Sequence, residues 1–158
     1  MARFTWAAMT ETLRQIDVEA DHFEVVSDDV VLAADLANTF AVCLYDAVEE
    51  PGALLHLRFI ARGDVRADVT DRTLASDLLL LDRCMETLRA AAPRAQHWQG
   101  KIVSHTDGSE HMRQAADVVL EMVDAFLTDA LVKIISCDVA PDDRRHIEFR
   151  PMMGQLRT

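Results

Sequence analysis

The sequence predicts a layered α+β domain in which a mixed sheet carries two main helices. Short β-branched and apolar runs crowd residues 22–60, and two stretches with helical periodicity come after them. Further strand-like runs alternate with those helices. The chain has 158 residues, 50% of them hydrophobic and 27% charged, which suits one folded domain with a proper core.

Phe4, Ala8, Met9, Leu13 and Ile16 recur at helical spacing, so residues 1–20 are expected as a helical extension ahead of a domain at 21–158. HFEVVS and DVVLAA then read as two strands around a turn at Ser27-Asp28-Asp29. NTFAVCLYD (38–46) and ALLHLRFI (53–60) are more apolar and are expected as deeper strands, joined through Pro51-Gly52. Leu74, Leu78, Leu81, Met85 and Leu88 form one helical stripe, with Asp71 or Thr73 as candidate caps and Pro93 beyond the end. HWQGKIVSH (97–105) reads as a strand. A second helix over about 110–129 follows, with Met112, Ala116, Val119, Val123 and Phe126 on its inner face and Ser109 as its cap. VKIISCDV and RRHIEFR close the chain as strands joined at Ala140-Pro141-Asp142-Asp143, a composition that suits a tight turn. Both helical stripes read as core, and so do the methionines within them.

Charge narrows the function. Sixteen basic against 27 acidic residues leave a net −11, which repels phosphate backbones and anionic lipid surfaces. Nucleic acid and membrane insertion are therefore not expected among the partners. Cys43, Cys84 and Cys137 are sparse, odd in number and without a CxxC pair, which points to reduced thiols. The apolar patch near the start is too short for a signal peptide, and no run approaches a membrane span. A cytoplasmic location is expected.

The order and spacing of AVCLYD (41–46), Gly52, His56, KIV (101–103), a helix and ISCDVAPDDRRHIEFRPMMG (135–154) resemble one family. That family is CheD, the chemoreceptor glutamine deamidases of bacterial chemotaxis. The resemblance covers most of the chain from about His22, and its closing stretch is the most specific part: Asp138-Val139, Arg145, Phe149, Pro151 and Gly154. It implies a layered α/β sandwich of CheD-like type. It also implies a cysteine nucleophile, a histidine base and a supporting threonine acting on glutamine side chains of chemoreceptor cytoplasmic helices, with CheC-type phosphatase as a binding partner. The family's Leu-Gly-Ser-Cys reads Leu36-Ala37-Asn38-Thr39 here, so Thr39 stands at the nucleophile position. His56 matches the base, and the supporting threonine falls on Ala33. Ser104-His105 and Ala140-Pro141 replace two Gly-Gly pairs, and Arg113-Gln114 replaces Arg-Asn.

Amide hydrolysis through an acyl-enzyme needs an activated nucleophile, a base and donors for the oxyanion. A cysteine is partly thiolate near neutral pH, whereas an internal threonine hydroxyl is much harder to deprotonate. Cys43 lies four residues beyond Thr39, roughly 13 Å along a strand, too far to share a base with it. Cys43, Cys84 and Cys137 all read as inert packing. The leading expectation is thus a catalytically degenerate CheD-like protein that binds and regulates. Its expected partners are chemoreceptor cytoplasmic helices, a CheC-type phosphatase or a CheD paralogue. A functioning amidohydrolase using Thr39 or another group with His56 is the alternative. A metal site at His105, Asp107 and His111 is a third reading, set against a plain polar loop, because His and carboxylate are zinc ligands but the spacing matches no mechanistic signature. No cofactor is expected.

Overall fold

The computed structural model describes residues 13–60, 69–140 and 145–158. Within them nine strands form two sheets, and two helices complete a three-layer α+β sandwich. The five-stranded sheet has the order β2-β5-β4-β6-β7, built from β2 (His22–Val26), β4 (Thr39–Asp46), β5 (Gly52–Arg58), β6 (Trp98–His105) and β7 (Lys133–Ala140). The four-stranded sheet runs β1-β3-β8-β9, from β1 (Gln15–Asp17), β3 (Val31–Leu36), β8 (Arg145–Arg150) and β9 (Gln155–Arg157). Helices α1 (Val69–Ala91) and α2 (Glu110–Asp129) cover the outer face of the larger sheet.

β4 organises the molecule because its alternating residues feed two different cores. Phe40, Val42 and Leu44 join Leu55, Leu57, Leu81, Leu88, Val119 and Val123 beneath the helices. Ala41 and Cys43 face the other way, against Leu32, Leu36, Ile147 and Phe149 of the smaller sheet. A strand buried on both faces is apolar nearly throughout, as its sequence is. β4 and β5 pair antiparallel, and Asp46 fixes their connection by accepting N–H bonds from Val48 and Glu49 at 2.9 Å each. β6, α2 and β7 form a parallel crossover unit, with Ser109 capping α2 through Met112 N–H at 3.3 Å.

The far end of β4 is closed by the chain terminus. A Cβ on Gly52 would lie 2.5 Å from Pro151 Cβ and 2.8 Å from the Leu44 carbonyl oxygen. Gly154 has φ +59°, and a Cβ there would meet the Tyr45 ring at 2.7 Å. Lys101 donates to the Gly154 carbonyl at 2.8 Å and sits over Tyr45, holding the same corner.

Several expectations change. Ile16 lies in a strand that pairs parallel with β3, so the helical extension does not reach residues 15–17; residues 1–12 lie outside the described residues. β2 and β3 are not a hairpin, because each joins a different sheet. β7 and β8 likewise separate, and residues 141–144 between them lie outside the described residues. α1 begins at Val69, so positions 71 and 73 fall inside the helix rather than ahead of its first turn. Leu81, Met85 and Leu88 are buried, but Leu74 and Leu78 are only half-buried, and Asp77 occupies the buried face.

Candidate functional site

Thr39 pairs with Arg58 across the β4–β5 ladder, and His56 pairs with Ala41. Thr39 and His56 are therefore diagonal neighbours on the face turned toward the smaller sheet, a gap an imidazole can span. It does so: Thr39 Oγ1 lies 2.7 Å from His56 Nε2. The other ring nitrogen, Nδ1, is 2.8 Å from the Val18 carbonyl oxygen, which can only accept. The proton therefore sits on Nδ1, and Nε2 offers its lone pair to the threonine hydroxyl. Thr39 donates to His56 and accepts from Ala37 N–H at 3.2 Å. Val18 is itself anchored by its N–H on the Ala33 carbonyl at 2.7 Å, so the ring is oriented by the opposite sheet.

Burial pushes the His56 pKa down against the opposing pull of the Val18 carbonyl, which leaves the ring neutral near pH 7. Thr39 and His56 are each only 4% exposed, yet both line a cavity of about 470 Å³ between the sheets. Ala33 lines it too, so the structure brings all three sequence-predicted positions together. The Ala33 side chain is a methyl group and offers the cavity no hydrogen-bonding atom. Asp17, Glu19 and Asp35 are the acidic residues of the cavity lining. Arg58 also lines it, with its guanidinium engaged by Asp21 at 2.7 Å.

The turn that delivers Thr39 is bound on its other side. Asn38 has φ +54°, a left-handed conformation that Asn tolerates better than most residues. Its N–H donates to His105 Nδ1 at 2.9 Å, and its side-chain oxygen accepts from Asp107 N–H at 2.7 Å. His105 is buried at the end of β6. Asp107 also accepts from Ser109 N–H at 2.9 Å, and hydrogen bonds from Ser109 hold its carboxyl below the usual range. The His105–His111 segment thus braces the Thr39 turn and the start of α2. His111 lies exposed in the first turn of α2, and among the described residues no three His, Cys, Asp or Glu side chains come together to hold a metal.

Cys43 and Cys84 are buried with their thiols pushed well up by desolvation, consistent with packing. Cys137 departs from that expectation, since it is exposed on the edge strand β7. Burial and the nearby Asp124 and Asp138 raise its pKa as well, so it is no activated nucleophile. Asp138 and Arg145 form an ion pair at 2.8 Å, and Arg145 also reaches the Ser104 carbonyl at 3.3 Å.

Sequence reasoning missed Val18 and Asn38. Val18 acts through its main chain and leaves no side-chain signal. Asn38 carried one, an Asn directly before an apolar strand, where a left-handed turn residue is common. No helix among the described residues is long and apolar enough to cross a membrane. The chain matches no family model, and no curated protein matches it.

Proposed function

We propose that this chain is a CheD-like regulatory protein of chemotaxis signalling that binds chemoreceptor cytoplasmic helices through the Thr39–His56 cavity without hydrolysing them. The supporting observation is the pair itself: a threonine hydroxyl at 2.7 Å from a histidine whose far nitrogen bonds a neutral carbonyl. In hydroxyl-based triads a carboxylate stabilises the imidazolium that forms as the proton moves. Here a backbone carbonyl takes that place, and burial already disfavours the protonated ring. Such a base suits a thiol, which gives up its proton far more readily than a hydroxyl. The cavity is retained as a binding site for a side chain projecting from the partner helix.

The alternative, an amidohydrolase working through Thr39, draws on the same short hydrogen bond. Incubation with a chemoreceptor cytoplasmic fragment separates the two. Fluorescence anisotropy should show binding by wild type, and Ala37→Trp, at an exposed position on the cavity lining, should abolish it. Mass spectrometry of the fragment should show no conversion of glutamine to glutamate. Conversion by wild type would establish the enzyme instead, and binding undiminished by Ala37→Trp would remove the cavity from the interface.

A further inference from the structure

The amides around Thr39 are as informative as its side chain. Acyl transfer at this position requires N–H donors aimed at the oxygen of the attacked carbonyl. The turn preceding β4 is the natural source of such donors. Ala37 N–H is turned onto Thr39 Oγ1, and Asn38 N–H is turned onto His105 Nδ1. The second bond is the tighter, at 2.9 Å, and it is reinforced by the Asp107 N–H to Asn38 Oδ1 bond at 2.7 Å. A buried imidazole therefore holds the Asn38 amide away from the Thr39–His56 cavity, whose lining includes neither Asn38 nor His105.

We infer that His105 is a blocking residue: its Nδ1 occupies the Asn38 amide and holds the Thr39 turn in a form that cannot stabilise an oxyanion. This rests on Thr39 being the nucleophile position. It goes further by placing a second lesion on a different strand, so that restoring the nucleophile alone does not restore acyl transfer. A residue without a side-chain acceptor at 105 leaves the Asn38 N–H available. Asn at 105 keeps an acceptor within reach of that amide and keeps the block.

The test uses the full chain in a Cys137→Ser background, because Cys137 is the exposed native thiol. Thr39→Cys is compared with Thr39→Cys/His105→Ala and Thr39→Cys/His105→Asn. Two probes are used on each. Iodoacetamide alkylates a thiol by displacement at a saturated carbon, which needs no oxyanion donor. With p-nitrophenyl acetate the introduced sulfur attacks the carbonyl carbon and His56 takes the thiol proton. A C–S bond forms, the ester C–O bond breaks, and p-nitrophenolate leaves. The intermediate oxyanion is the species that the Asn38 amide would stabilise.

Thr39→Cys alone should alkylate readily but acylate slowly. Adding His105→Ala should raise the acylation rate at least about tenfold, below the 10²–10³ that a fully formed oxyanion donor supplies. The alkylation rate should stay the same, and His105→Asn should keep acylation slow. Equal acylation in the three variants would overturn the inference. So would a parallel rise of both rates with His105→Ala, which would mean general loosening. A Thr39→Cys thiol inert to iodoacetamide would instead overturn the assignment of Thr39 to the nucleophile position. If His105→Ala does not fold, as read by circular dichroism, His105→Gly takes its place; failure of both would make His105 a purely structural brace and end the inference.

Discussion

The two cores on either side of the larger sheet treat buried polar groups in opposite ways. Between the sheets, His56 has both ring nitrogens engaged, by Thr39 and by the Val18 carbonyl. Under the helices, Asp77 is 1% exposed and its Oδ2 has no hydrogen-bond partner among the described residues. A satisfied polar group is compatible with a core, whereas an unsatisfied one costs the desolvation of its charge. The molecule thus keeps its organised polar chemistry in the inter-sheet layer and carries a strained acid in the helical one.

That contrast is sharpest in the response to pH. Desolvation, with the Asp21 carboxylate adding to it, pushes the Asp77 pKa up to about 8 from 3.8. Between those values the unfolded chain releases a proton that the folded chain retains, so raising the pH favours unfolding. Stability is expected to fall by a few kcal/mol across that window, at about 1.4 kcal/mol per pH unit at most. Urea midpoints measured from pH 4 to 8 should show this decline in wild type and a much flatter profile in Asp77→Asn. Parallel profiles would mean that the acid is already ionised in the fold.

The closed end of β4 supplies a second contrast with its site end. Gly52→Ala drives a methyl group against the Pro151 side chain and the Leu44 carbonyl, neither able to move cheaply. A loss of about 2 kcal/mol is expected, within the range for overpacked cores, and thermal denaturation would register it. An unchanged Tm would show that the terminal segment is not seated there.

His56 gives the smallest effect and the opposite sign. Its folded pKa lies below 6.5, so acidification through that value protonates the unfolded chain first and lowers stability. His56→Gln should lose stability less steeply between pH 7 and 5. A wild-type profile no steeper than the variant's would mean that the ring is protonated in the fold.

Strand and helix positions were legible because periodicity is local. β4, β5, β6 and α2 lie where alternation and helical spacing put them. Sheet membership was not legible, because the link from β2 to β3 carries an ordinary turn composition yet crosses between layers. The helical reading of Ile16 failed for a related reason: pairing with β3 outweighed a weak local pattern. Asp77 escaped notice because a stripe drawn through leucines steps past the acid beside it. In the candidate site, Thr39, His56 and Ala33 were named by resemblance and share one cavity. His105 was noticed for its ligand-rich spacing, which does not reveal that its Nδ1 lone pair already accepts from Asn38 N–H.

The bond from His56 to Val18 has a practical consequence for mapping this site. The group that selects the imidazole tautomer belongs to the polypeptide itself, so no exchange of the residue 18 side chain removes it. Alanine scanning would pass over the position as an ordinary small hydrophobe. Replacing the peptide link after Val18 with an ester, whose oxygen is a poorer acceptor, would weaken the tautomer choice while leaving every side chain in place.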